Sequence, residues 1–315
     1  MQPSRRAVID VGTNSVKLLV ADVRGRTLQP LLEKSEQTRL GKGFYEDHLL
    51  QAATIEHTAR VVGAFTALAQ QLEPATIRLI ATSAARDARN QDVLIRALHE
   101  ASGLKVEVIS GDQEAEMVFR GVATDPRLDG QRLLILDAGG GSTELILGQG
   151  QHHVVRKSFP IGSVRLLEVL RPRDPPAISD LADCRAWLQH FLAEKITPET
   201  AALLEVENNP ETTLVGTGGT ATILARMEGR MDRFDREGIE GMRLSRTQIL
   251  DRMVQLWSLS LAERRKLPGL PSKRADVVLM GVAIYEAVME RFGFEHFYVS
   301  TRGLRFGAVL EPMPA

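Results

Sequence analysis

The sequence predicts an α/β protein made of two similar halves, and three observations carry that expectation. A glycine turn between two apolar runs occurs twice, strands alternate with stretches of helical periodicity in each half, and 315 residues suit two domains of ~150 better than one core.

The turn at 133–147 joins two apolar runs through Gly139, Gly140 and Gly141. Three glycines supply unrestricted φ and can present bare backbone N–H groups to an anion. Asp137 and Glu144 flank the turn, so hairpin geometry brings both carboxylates to one edge of the sheet. Oxygen ligands beside such a cradle suit a hard divalent cation. Taken alone, the stretch reads equally well as a glycine-rich hairpin with two solvated carboxylates. A second copy at 8–20 aligns without gaps, placing Asp10 on Asp137, Gly12 on Gly139, Ser15 on Ser142 and Leu18 on Leu145. Lys17 stands where the later copy has Glu144. That reversal makes the acidic half the expected metal side.

After the first hairpin, 28–40 reads as a strand and a loop ending at Gly41 and Gly43. Residues 51–72 carry Ile55, Val62, Phe65 and Leu68 at helical spacing and stop before Pro74. A short buried strand, 77–81, delivers Thr82 to Arg86 to a loop; a helix over 87–101 closes with Gly103, and 105–109 is the next strand. Ser110 and Gln113 have capping-box spacing, so a helix starts near Gly111 with Glu114 in its first turn, where the helix N-terminus favours an ionised carboxylate. On spacing alone, charge complementarity at a helix start is the simpler account of Glu114.

The turn-rich segment 124–130 is the expected boundary, giving domains 1–125 and 126–315. The second half repeats the plan with the hairpin, a strand near 153–156 and helices around 163–170 and 178–194, separated by Pro172, Pro175 and Pro176. A strand then enters Gly216, Thr217, Gly218 and Gly219 before a helix over 221–227, a third place where backbone N–H groups can meet phosphate. Residues 229–241 are charged and read as a mobile surface loop. Ser245 with Gln248 and Ser260 with Glu263 start two more helices, 277–291 is a buried helix, and 297–300 is the last strand. His152 and His153 point to opposite faces of a strand and read as surface residues, not joint metal ligands.

Together, Asp10 to Ser15, Thr82 to Ala88, Ser110 to Ala115, Asp137 to Glu144, Gly216 to Thr220 and Arg274 to Val278 form an ordered set of motifs. That set resembles the exopolyphosphatase/guanosine pentaphosphate phosphohydrolase (Ppx/GppA) family over nearly the whole chain. The resemblance implies two duplicated ribonuclease-H-like domains of the actin-like ATPase superfold, with the active site in the cleft between them. It implies metal-dependent release of terminal phosphate from inorganic polyphosphate, or hydrolysis of guanosine pentaphosphate (pppGpp), with Mg²⁺ or Mn²⁺ as cofactor.

By the same resemblance, Glu114 orients or deprotonates water, Glu144 shares that work, and Arg86 forks onto a phosphate. Gly12, Thr13, Asn14, Ser15, Lys17, Gly139, Gly140, Gly141, Ser142, Gly216, Thr217, Gly218 and Gly219 are the expected phosphate-binding residues, and Asp137, Glu144 and Asp10 the expected metal ligands. Phe306 departs from the family pattern, which usually has an acidic residue there; we read it as a local packing change. The resemblance implies the short form of the family, expected to lack the helical C-terminal domains of longer relatives, which would remove one familiar route to dimerisation while a homodimer stays open. A sugar or acid kinase of the same superfold and a non-catalytic polyphosphate-sensing module are the competing classes. The first needs a defined acceptor site and the second shows no metal-dependent phosphate release.

Composition narrows the partners. A formal net charge of -1 gives no general attraction to nucleic acid or anionic membrane. Cys184 is the single cysteine, read as a small helical residue, so no internal disulfide forms and a reducing cytoplasm is the expected home. Asp10 interrupts the apolar run after Arg5 and Arg6, unlike a signal peptide, and no stretch approaches the ~18–20 apolar residues of a membrane span.

Overall fold

The computed structural model describes residues 4–195, Leu203 and 211–311. They fall into two compact units, one holding the chain up to Arg127 together with the segment from Arg302 onward, the other Leu128–Thr301.

The first unit runs β1 (Ser4–Val11), β2 (Val16–Arg24), β3 (Thr27–Glu36), α1 (Ala52–Gln70), β4 (Thr76–Ala81), α2 (Ser83–Asp87), α3 (Gln91–Ser102), β5 (Val106–Val108) and α4 (Gly111–Val122). Its sheet has the order β3-β2-β1-β4-β5, with β1 to β3 antiparallel and β4 and β5 parallel to β1. Central β1 and β2 are apolar on both faces, burying Ile9, Val11, Leu18 and Val20 on one and Val8 and Leu19 on the other, while β3 is exposed at several positions as an edge strand. The Ile55, Val62 and Phe65 stripe of α1 belongs to the same core. At the start of α4 the Ser110 hydroxyl accepts from the Gln113 amide and the Gln113 side chain accepts from the Ser110 amide, a reciprocal cap worth ~1 kcal/mol. That cap fixes Glu114 in the first turn.

The second unit runs β6 (Arg132–Ala138), β7 (Thr143–Gln149), β8 (His152–Phe159), α5 (Ser163–Leu170), α6 (Ile178–Lys195), β9 (Thr213–Thr217), α7 (Gly218–Glu228), α8 (Arg236–Ile239), β10 (Arg243–Ser245), α9 (Arg246–Ser258), α10 (Leu261–Arg264), α11 (Val278–Arg291) and β11 (His296–Val299). Its sheet order, β10-β11-β9-β6-β7-β8, contains the first unit's pattern with one added edge strand. The duplication holds at single-residue register, since Asp10 pairs with Lys17 in one hairpin and Asp137 with Glu144 in the other. α11 is buried from Val278 to Met289. Cys184 is buried in α6, which pushes its thiol pKa up to about 12 and keeps it protonated. His152 and His153 are exposed on edge strand β8.

Three expectations need correction. The segment after Thr82 is helical as α2, and 229–241 contains α8, which Asp235 caps and which buries Ile239 as its apolar anchor. More consequentially, the assignment of all of 126–315 to the second domain fails at its end. Helix α12 (Leu304–Leu310) packs on α4 and the first sheet instead. Arg6 donates to the carbonyls of Val309 and Leu310, and Arg78 to that of Ala308 at 3.0 Å, so two arginines of the first unit cap the helix C-terminus. Arg78 is buried and also pairs with Glu107 and Glu311. Phe306 is buried beneath the Arg302 guanidinium, 5.9 Å from its ring centre, which accounts for an aromatic residue there.

A Cβ on Gly307 would lie 1.8 Å from the Met117 carbonyl oxygen, so helix and helix meet backbone to backbone. Gly307→Ala is therefore expected to lower the unfolding free energy by ~3 kcal/mol, the upper range for overpacking. Urea denaturation of the two proteins measures it, and an unchanged midpoint would mean that α12 is not seated there. Among the described residues no helix is long and apolar enough to cross a membrane.

Candidate active site

In the first unit, the candidate residues gather at the carboxyl ends of β1, β4 and β5. The Gly12 amide donates to the Ser15 carbonyl at 3.0 Å, closing the turn that holds Thr13 and Asn14. The chain returning from β3 then ties that turn from behind: Arg39 donates to the Asn14 carbonyl and Gly41 to the Thr13 carbonyl at 2.7 Å. Thr82 donates to the Val11 carbonyl, which joins the exit of β4 to the exit of β1. Asp10 is buried, and burial pushes its pKa up against the opposing charges of Lys17 and Arg305.

Arg86 meets Glu114. Its Nη1 donates to Glu114 Oε2 at 3.2 Å and to the Ile109 carbonyl at 3.0 Å, while Nε lies 3.7 Å from Asp87. The fork expected for Arg86 thus has one prong already engaged in holding the carboxylate. Glu114 itself is 8% exposed. In the same unit, the buried Thr13 Oγ1, Asn14 Nδ2 and Ser83 Oγ have no hydrogen-bond partner among the described residues. Buried polar groups left so cost ~1–3 kcal/mol each unless a ligand takes them.

In the second unit the same turn recurs, with the Gly139 amide donating to the Ser142 carbonyl at 2.9 Å. The return from β8 ties all three glycine carbonyls: Ser163 donates to Gly139, Val164 to Gly140, and the Arg165 guanidinium to Gly141. Gly12, Gly139, Gly140 and Gly141 are absent from the left-handed glycines, so the φ argument for them is corrected. Close approach is the reason at Gly139, where a Cβ would lie 2.9 Å from the Ser142 carbonyl oxygen. Gly218 alone in the three turns has a left-handed φ, 80°, and its Cβ would fall 2.1 Å from Asp137 Oδ1.

Asp137 and Glu144 sit opposite each other across β6 and β7, and Ser158 Oγ donates to Glu144 Oε1 at 2.7 Å. The third turn is braced from below by α11. The Tyr285 hydroxyl lies within hydrogen-bond distance of the Leu136 and Thr217 carbonyls, and burial pushes its pKa well above the usual phenol value, so it stays a neutral donor. Thr217 Oγ1 is buried without a partner among the described residues. The Arg274 guanidinium reaches within 3.4 Å of the Cβ position of Gly219.

The expected residues therefore assemble as two sets. Asp10, Gly12, Thr13, Asn14, Ser15, Lys17, Arg86 and Glu114 belong to the first unit, and Asp137, Gly139 to Ser142, Glu144 and Gly216 to Gly219 to the second. Asp10 lies in the other unit from Asp137 and Glu144, opposite Lys17. Among the described residues no three metal-ligating side chains cluster. Two neighbouring carboxylates fit a cation such as Mg²⁺ that takes its other oxygens from water and phosphate. Sequence reasoning missed Ser158, Tyr285 and Gly162, and it named Arg274 and Gly41 without giving them a place in the site. Gly41 and Gly162 had a signal, a glycine after the third strand of each half.

Two units with one strand order, each closing its first hairpin in a tied glycine turn, define a duplicated α/β fold of the kind found in solved Ppx/GppA enzymes. The chain belongs to the Ppx/GppA phosphatase family, whose sequence model matches residues 19–315, and it is a hydrolase of that phosphatase type. It is 32% identical to exopolyphosphatase 2 of Mycobacterium tuberculosis, over 98% of this chain and 99% of the relative. The structure of the Aquifex aeolicus Ppx/GppA enzyme matches with a TM-score of 0.80 at 31% identity, covering 98% of this chain and 99% of the other. An exopolyphosphatase from Cytophaga hutchinsonii matches with a TM-score of 0.85 at 27% identity, covering 96% of each chain.

Proposed function

We propose that this chain hydrolyses the terminal phosphoanhydride of inorganic polyphosphate and releases orthophosphate in the cytoplasm. The observation that carries the reading is the set of buried, unpartnered polar atoms on the turns and at the start of α2: Thr13 Oγ1, Asn14 Nδ2, Ser83 Oγ and Thr217 Oγ1. Phosphate oxygens supply the missing partners for all of them. With the turn carbonyls tied back, the backbone N–H groups become the anion-facing side of each loop. Arg86 neutralises phosphate charge while its Nη1 holds Glu114, which takes the proton of the attacking water as the new P–O bond forms and the bridging P–O bond breaks. Asp137 and Glu144 would hold Mg²⁺ or Mn²⁺, whose charge screens the phosphate oxygens when bound.

Phosphate release from purified protein, assayed on polyphosphate and on pppGpp with Mg²⁺, tests the reading. Release from polyphosphate is expected; release from pppGpp alone would move the substrate, and release from neither would overturn the hydrolase mechanism. Excess chelator is expected to abolish turnover and added Mg²⁺ to restore it. Undiminished release in chelator would take Asp137 and Glu144 out of metal binding.

A further inference from the structure

We infer that Tyr285 is a positioning residue that acts through Asp137: its hydroxyl ties the backbone that carries Asp137 to the backbone that opens the third glycine turn, so that the carboxylate and the turn hold one spacing. The inference rests on reading Asp137 and Glu144 as a cation-holding pair. Tyr285 lies on the buried helix α11 and is 0% exposed. Its Oη is 3.1 Å from the Leu136 carbonyl oxygen and 3.2 Å from that of Thr217. Leu136 immediately precedes Asp137 in β6, and Thr217 ends β9 just before Gly218. The two strands are parallel neighbours with Asp137 registered on Thr217, so the hydroxyl bridges them beside the carboxylate.

Asp137 is tied on its other side as well, because Thr220 Oγ1, in the first turn of α7, donates to the Ala138 carbonyl at 3.2 Å. The carbonyls before and after Asp137 thus each meet a buried hydroxyl, one from α11 and one from α7. Gly218 closes the arrangement: a Cβ there would fall 2.1 Å from Asp137 Oδ1, so the carboxylate lies directly against the turn. A phenol has one proton, which the Leu136 and Thr217 carbonyls must share. Without it, two buried carbonyl dipoles converge, negative ends inward, on a space with no donor, and their repulsion moves β6 and the third turn apart. The ring packs on Phe297 with 4.8 Å between ring centres and lies 2.8 Å from the Cβ position of Gly216. Phenylalanine keeps those contacts and removes the hydroxyl alone.

Mn²⁺ binding to the whole protein, followed by the electron paramagnetic resonance signal of the free ion with Mg²⁺ as competitor, tests the inference without turnover. Tyr285→Phe is expected to weaken Mn²⁺ binding by ~10-fold, the upper scale for one neutral hydrogen bond. In phosphate-release assays its loss of rate is expected at low Mg²⁺ and is recovered by raising Mg²⁺, with KM for polyphosphate nearly unchanged. Thr66→Val, which removes a buried hydroxyl bonded to the Val62 carbonyl in α1, controls for lost stability and is expected to leave Mn²⁺ affinity as it was. Equal Mn²⁺ affinity in wild type and Tyr285→Phe, or an equal loss in Thr66→Val, overturns the inference and leaves the cation reading standing. No Mn²⁺ bound by the wild-type protein overturns the cation reading and this inference with it. Should Tyr285→Phe not fold, Thr220→Val, which cuts the tie on the other side of Asp137 at constant size, carries the same comparison.

Discussion

Glu114→Gln is expected to cut turnover by at least ~100-fold, the scale of losing a positioned general base, while substrate and metal affinity stay near normal. Glutamine keeps the size of the side chain and an oxygen that Arg86 Nη1, now 3.2 Å from Oε2, can still donate to. It also keeps the place in the first turn of α4, because the Ser110 and Gln113 cap does not involve residue 114. What it loses is the capacity to accept the water proton. Steady-state phosphate release gives kcat and KM separately. Near-normal kcat with a raised KM would move Glu114 to substrate binding and leave Glu144 as the candidate base.

Gly162→Ala is expected to lower turnover by ~100-fold or more, through displacement of the second-unit glycine turn by about 1 Å. The added Cβ would lie 2.5 Å from the Gly140 carbonyl carbon and oxygen and 2.6 Å from the Gly141 nitrogen. All three are backbone atoms with no rotamer to yield, so the turn itself must move. Gly162 precedes the Ser163 and Val164 amides that tie the turn, so the clash acts where the loop is anchored. Circular dichroism and a thermal melt control for global folding. A folded Gly162→Ala protein with wild-type kcat would show that the turn does not need its present position for catalysis.

The two hairpins were legible because their signal is local: apolar runs interrupted by glycines fix strand, turn and strand within fifteen positions, and the gap-free alignment of Asp10 with Asp137 reports a shared register. Capping boxes at Ser110, Ser245 and Ser260 were legible for the same reason, each being a contact across one helical turn. What stayed hidden depends on partners far away in sequence. Nothing near Gly307 announces that it meets the Met117 carbonyl, and nothing near Arg86 reveals that Glu114 already occupies one of its arms. The role of the glycines was misread in kind, because a sequence cannot distinguish a glycine needed for its φ from one needed for the space a Cβ would fill. Gly218 needs both, whereas Gly139 needs only the second. Ile239 shows a third limit, a single apolar residue in a charged segment, too sparse to form a period yet enough to anchor a four-residue helix.

Because α12 completes the first unit, the order of synthesis and the order of assembly differ. The second unit is one unbroken stretch, Leu128–Thr301, and every residue of it leaves the ribosome before α12 does. The first unit begins earlier but waits, with the face of α4 that receives Gly307 uncovered, until α12 is made. In the growing chain the domain that starts second is the first able to close, and the nascent protein carries an open apolar surface on its older half throughout.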